Sequence, residues 1–145
     1  MTYHFKNPSD AIINDYLSSS RVIAVVGLSN REETASYQVS RVMQQAGYTI
    51  IPVNPRLAGQ EILGQEVYAS LLDIPVAIDI VNVFRPSQVL PQVASDFIQS
   101  GAKIFWAQLG LESQDAELLL RQAGKDKLVM NRCIKLDYLR LFGKP

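Results

Sequence analysis

Apolar residues along this chain fall into two alternating rhythms. The first is the short unbroken run, of which Val22-Ile23-Ala24-Val25-Val26 is the clearest. Five apolar residues in succession, three of them Val, predict a parallel strand buried on both faces. Tyr48-Thr49-Ile50-Ile51, Ala77 to Val83, Lys103 to Trp106 and Leu128 to Met130 predict further strands. The second rhythm is helical. Ser9-Asp10 caps a helix to about Leu17, with Ile12, Ile13, Tyr16 and Leu17 on one face. A second starts near Thr34 or Ser36, carries Val39, Val42, Met43 and Ala46 inward, and stops at Gly47. Ser87 is expected to cap a helix through Gln99, Ser113 another ending at Gly124, and Ile134 to Leu141 closes the chain as an amphipathic helix. Residues 1–7 read as a loose lead-in, Glu66-Val67-Tyr68 as a short edge strand, and Ser70 to Asp73 as one helical turn.

Strands that alternate with helices pair in parallel through right-handed crossovers. The pattern predicts an α/β, Rossmann-like doubly wound fold. Its sheet is mainly parallel, in the order 3-2-1-4-5-6 with the third strand short, and helices cover both faces. In that order the chain reverses direction between the strand ending at Val26 and the one ending at Val83. A ligand crevice is therefore expected between the loops that begin at Gly27 and Phe84.

Composition narrows the partners. At 145 residues the chain is expected to form one domain with a substantial core. Fourteen basic and fourteen acidic residues leave no net charge and no basic stripe for a nucleic acid. A single Cys excludes an internal disulfide and suits a reducing, cytoplasmic setting. The longest apolar runs are far below a membrane span, and the N-terminus lacks the apolar stretch of a signal peptide.

The expected crevice gathers Ser29, Asn30, Arg31, Ser36, Arg56 and Arg85, the residue types that hold phosphates. The helix N-terminus after Gly27 adds free N–H groups. The second strand ends in Asn54-Pro55-Arg56, without the acid that receives the ribose hydroxyls of NAD. Gly27 stands alone where Gly-x-Gly-x-x-Gly would need three glycines. NAD is thus disfavoured. Arg56 suits a phosphorylated ribose, either that of NADP, which would make the chain an NADP-dependent reductase, or that of coenzyme A. Catalytic parts are scarce: His4 is the sole His, Cys133 the sole Cys, and Asp79 sits in a buried strand, where a structural hydrogen bond is the simpler role. Neither a Ser-His-Asp set nor a metal site can be assembled, and Trp106 reads as core.

Several stretches together resemble the small single-domain CoA-binding protein family. They are Val25-Val26-Gly27-Leu28-Ser29, Gly47 through Pro55, Ser70 through Pro75, and Asp79-Ile80-Val81-Asn82-Val83-Phe84-Arg85, followed by Trp106-Ala107-Gln108-Leu109-Gly110 and Asn131-Arg132-Cys133. That family is similar to the CoA-binding domain of the succinyl-CoA ligase α subunit. The resemblance implies coenzyme A or an acyl-CoA held along the carboxyl ends of the strands. Gly27, Ser29 and Asn30 would face the diphosphate, with Leu28 and Ser36 beside them. Val53, Asn54, Pro55 and Arg56 would lie by the adenosine and its 3′-phosphate. Phe84, Arg85 and Pro86 would flank the nucleotide or the start of the pantetheine arm, with Gln108 farther along. It implies a binding, carrier or regulatory module without chemistry of its own, with a protein partner or a second copy as a further expectation. Cys133 is then either inert filler or the partner in a mixed disulfide with CoA.

Overall fold

Val22–Val26 forms β1 near the middle of the sheet, as its unbroken apolar run requires. The computed structural model describes residues 2–143; Met1, the first residue of the expected lead-in, and Lys144 and Pro145 lie outside the described residues. In chain order the elements are α1 (Asp10–Ser18), β1, α2 (Ala35–Gln45) and β2 (Thr49–Val53). A small hairpin follows, β3 (Glu61–Ile62) and β4 (Gln65–Glu66), then β5 (Ile80–Val83) and α3 (Leu90–Ser100). The chain closes with β6 (Ile104–Ala107), α4 (Gln114–Gln122), β7 (Leu128–Val129) and α5 (Ile134–Phe142).

The five long-range strands pair in parallel in the order β2-β1-β5-β6-β7. This is the expected Rossmann-like order, with one refinement at its edge. The predicted third strand, Glu66-Val67-Tyr68, shrinks to a single parallel bridge between Tyr68 and Val53. Glu66 instead pairs with Glu61 in the antiparallel hairpin, which the apolar pattern does not announce.

Strand side chains alternate between faces, so each strand feeds two cores. Ala24, Val81, Val83, Phe105 and Ala107 pack under α3 and α4, around Phe97 and Leu120. Ile23, Val25, Ile50, Ile80 and Trp106 pack on the opposite face, under α1, α2 and α5. Trp106 is fully buried, as expected of a core residue. α3 departs from the expected start. A short 3₁₀ turn occupies Ser87–Val89, and α3 begins without a side-chain cap. Ser87 Oγ accepts instead from Glu112 N at 3.2 Å.

The expected loose lead-in is a correction: residues 3–7 form a fastened strap. Phe5 is buried, and its N–H donates to Glu112 Oε2 at 3.2 Å. Asn7 clasps the backbone of Met130 from both sides, donating to its O at 2.8 Å and accepting from its N at 3.1 Å. Asn7 thus stands in for a strand neighbour at the end of β7, satisfying two groups that a free edge would leave open.

Asp79 precedes β5 at the amino edge of the sheet. Its Oδ2 accepts from Arg21 N at 2.8 Å and Val22 N at 2.9 Å, and its Oδ1 lies 3.5 Å from Lys103 Nζ. Burial by itself raises this carboxyl's pKa. The N–H groups of Val22 and Arg21, with Lys103, outweigh burial and hold the pKa below the ordinary value.

Candidate functional site

Three loops leave the carboxyl ends of β1, β2 and β5 and are laced together where they part. Gly27 N donates to Val53 O at 2.9 Å, and Phe84 N donates to Val26 O at 2.8 Å. Gly27 has φ +91°, and a Cβ there would lie 2.5 Å from Phe84 O and 3.0 Å from Arg85 Cδ. The glycine is therefore required by the neighbouring loop, because its bare Cα lets the Phe84–Arg85 backbone cross at van der Waals distance.

The stretch after Gly27 is shaped by its own polar groups. Ser29 N donates to Ser36 Oγ at 3.0 Å, and Arg31 N donates to Ser29 Oγ at 3.0 Å. Thr34 is the helix cap, accepting from Tyr37 N at 3.4 Å. Leu28 is fully buried in the core beneath α2. Arg31 turns to Glu33 at 2.9 Å and leaves the crevice. Asn54 clamps the first two loops, its Nδ2 donating to Leu28 O at 3.1 Å while its Oδ1 accepts from Arg56 N at 3.0 Å.

Three cavities open along this edge. An exposed cleft of about 480 Å³ is lined by Gly27, Asn54, Pro55, Arg56 and Arg85. A second, of about 220 Å³, lies between Val26, Val53, Pro55, Leu71 and Val93, with Arg85 and Asp96 at its wall. The third, of about 580 Å³, runs past Phe84, Arg85 and Pro86 toward Gln108, Cys133 and α5. Arg85 borders all three.

The predicted residues thus divide. Gly27, Val53, Asn54, Pro55, Arg56, Phe84, Arg85, Pro86 and Gln108 meet on these cavities. Leu28, Ser29, Asn30 and Ser36 line none of the three. Leu28 is committed to the core, and the Ser29 and Ser36 hydroxyls hold the loop's own backbone. Residues not foreseen as lining come from helices and turns: Leu71, Val93 and Asp96 in the second cavity, and Gln38, Val39 and Lys135 in the third. In sequence these are ordinary amphipathic positions, with no local signal to mark them.

Electrostatically the site is one-sided. Neither the Arg56 nor the Arg85 guanidinium has a hydrogen-bond or ion-pair partner among the described residues. The one carboxylate residue lining these three cavities, Asp96, accepts from Gln92 Nε2 at 3.2 Å. Arg56 and Arg85 beside the small apolar pocket, with Lys135, likewise without a partner among the described residues, on the larger cleft, suit an elongated ligand that carries anionic groups. His4 lies 3.3 Å from Glu112 and lines none of the three cavities. Among the described residues no three His, Cys, Asp or Glu side chains are grouped to hold a metal, and no helix is long and apolar enough to cross a membrane.

A family model described as a CoA binding domain matches residues 21–138. An uncharacterized protein of Bacillus subtilis, YneT, is 48% identical over 133 residues, covering 92% of this chain and 96% of that protein. The α subunit of the ADP-forming acetate–CoA ligase I of Pyrococcus furiosus is 29% identical over 119 residues, which cover 75% of this chain but 26% of that subunit. The solved structure of a Thermus thermophilus protein superposes with a TM-score of 0.89 at 34% identity, covering 93% of this chain and all of that one.

Proposed function

The chain belongs to the CoA binding domain family, and from that premise we propose that it binds coenzyme A or an acyl-CoA at the carboxyl edge of the sheet, as a carrier or regulatory module without acyl chemistry of its own. The observation that carries this reading is Arg85, a cation with no partner among the described residues, standing where the three cavities meet. Coenzyme A has three matching parts: a nucleoside, a cluster of phosphates and a long pantetheine arm. The adenosine goes to the small pocket beside Val53 and Leu71, and the phosphates to the open cleft between Arg56 and Arg85. The pantetheine follows the long cleft past Phe84 and Pro86. Charge-assisted contacts from two guanidinium groups supply the anion affinity, and apolar burial on either side sets the direction of the ligand.

The absence of acyl chemistry is part of the proposal and has a physical basis. Activating a carboxylate needs a second nucleotide site, and hydrolysing a thioester needs a base beside it. Asp79 is at the opposite edge of the sheet with its oxygens engaged, and Asp96 is bound to Gln92. Titration calorimetry with CoA, dephospho-CoA and pantetheine tests the binding. One CoA per chain is expected, with dephospho-CoA weaker and pantetheine weakest. No measurable binding of CoA at millimolar concentration would overturn the reading. Thiol release from acetyl-CoA that scales with protein concentration would overturn the non-catalytic part alone.

A further inference from the structure

Cys133 stands on the wall of the long cleft, and both of its chain neighbours are fastened. Trp106 Nε1 donates to Arg132 O at 2.9 Å, and Ile134 N donates to Gln108 Oε1 at 3.3 Å. The Cys133 carbonyl accepts from Asp137 N at 3.0 Å, closing the first turn of α5. The thiol itself takes no part in capping that helix. Arg132, the cation the sequence sets beside it, is committed to Asp137 through contacts of 2.9 and 2.6 Å. What remains is a half-buried free thiol, packed on one side against the core beneath α2 and α5 and with no hydrogen-bond partner among the described residues.

Gln108 adds an independent sign that this cleft takes a polar ligand. It is only 7% exposed, yet it lines the same cavity. Its Oε1 accepts from Asn82 Nδ2 at 3.2 Å and from Ile134 N at 3.3 Å. A backbone N–H can only donate, so the amide oxygen must face Ile134 and the amide nitrogen must face away. That Nε2 has no acceptor among the described residues, so on this cleft wall it is left free to donate to a ligand. The pantetheine arm of coenzyme A carries amide carbonyls, which are acceptors of the required kind, and it ends in sulfur.

Building on the coenzyme A reading above, we propose that Cys133 undergoes thiol–disulfide exchange with a disulfide of coenzyme A, leaving the CoA joined to the protein through the Cys133 sulfur. The Cys133 thiolate attacks the CoA sulfur of CoA–S–S–R. A new sulfur–sulfur bond forms as the old one breaks, and the departing R–S⁻ takes up the proton that Cys133 released. One disulfide is consumed and one is made, so no further oxidant enters the balance. Gln108 Nε2 orients the arm by donating to a pantetheine carbonyl, and Arg85 holds the phosphates behind it. A second thiol attacking the mixed disulfide restores the free protein, which makes the site a reversible record of oxidised CoA.

The test uses the pre-reduced full-length protein, CoA disulfide as the probe, and intact-mass spectrometry. The expected product is one CoA per chain, removed by dithiothreitol and absent from Cys133→Ser. It should form at least about tenfold faster than the adduct from glutathione disulfide at equal concentration, because binding raises the local concentration of the reacting sulfur. Arg85→Ala should lower the CoA disulfide rate toward the glutathione disulfide rate. No adduct on the wild type, or equal rates for the two disulfides, would overturn the exchange. Calorimetry of the reduced wild type with reduced CoA separates the two levels. CoA that binds without a selective adduct removes only the exchange, whereas CoA that does not bind removes the site as well.

Discussion

At the amino ends of the strands, Asp79 receives two backbone N–H groups and faces Lys103; at the carboxyl ends, Arg56 and Arg85 border open cavities, and neither guanidinium is paired with a carboxylate among the described residues. The same contrast recurs against α5, where Arg132 and Arg140 share Asp137 and Arg140 also reaches Asp10. Charges that fasten the fold have complete partners inside it. Charges left without partners on a concave surface keep their interaction free energy for something outside the chain. That contrast is why the proposed ligand site lies at the carboxyl edge, while the charges at the amino edge fasten the fold.

The strongest challenge to the comparison is Gly27→Val, which attacks the carboxyl edge through its backbone. A β-branched side chain at φ +91° must also displace Phe84 O, 2.5 Å from the new Cβ. Backbone strain and overpacking of about 1–3 kcal/mol each should together lower stability in chemical denaturation, and CoA binding should be lost with it. Wild-type stability in this variant would show that the loops need not cross so closely.

Arg85→Ala separates affinity from stability. The CoA dissociation constant should rise by about 10- to 100-fold in calorimetry, as expected for a lost charge-assisted contact, while the melting temperature stays close to that of the wild type. A clear fall in melting temperature would show that Arg85 is a structural cation after all.

Asp79→Ala is the mirror experiment. It should destabilise the protein by about 1–2 kcal/mol, because two backbone N–H groups lose their acceptor, and leave CoA affinity unchanged. The pH dependence follows from the lowered pKa of Asp79. A carboxyl whose folded pKa lies below its unfolded one contributes stability that is fully present above the unfolded value, about 3.9, and is lost as pH falls through the folded value. The wild type should therefore lose more stability than Asp79→Ala between neutral pH and strongly acidic pH. Parallel acid profiles would remove Asp79 from the account.

The smallest effect is expected at Arg56, which is exposed and reaches the ligand from the rim. Arg56→Ala should weaken CoA by about 0.5–1 kcal/mol and erase most of the preference over dephospho-CoA, a screened contact being worth no more. An undiminished preference would move the 3′-phosphate to another part of the cleft.

Part of this architecture is legible before any coordinates. The run Val22 to Val26 is buried because nothing in it tolerates water, and the neighbouring helices carry their stripes at helical spacing. Gly27, Arg56 and Arg85 follow from strand ends, where a doubly wound sheet collects its loops. Other features escaped the sequence pattern for one shared reason. The Ser29 and Ser36 hydroxyls each accept from a backbone N–H of their own loop, and Leu28 is drawn into the core. The lead-in looked loose because Asn7 finds its partner at Met130, far along the chain.

The sequence by itself therefore determined the alternation of strands and helices, their parallel order, and the edge at which the loops of the proposed site gather. Each of these depends on local patterning, which a short window of residues carries in full. Only the tertiary structure decided which polar groups remain free. Arg85 became the junction of three cavities, Asn54 a clamp, and Gln108 a fixed carbonyl with an idle amide nitrogen, because each outcome depends on a partner from a distant segment. Hydrogen bonds saturate, so a side chain is available to a ligand only after the fold has made its own claims on it.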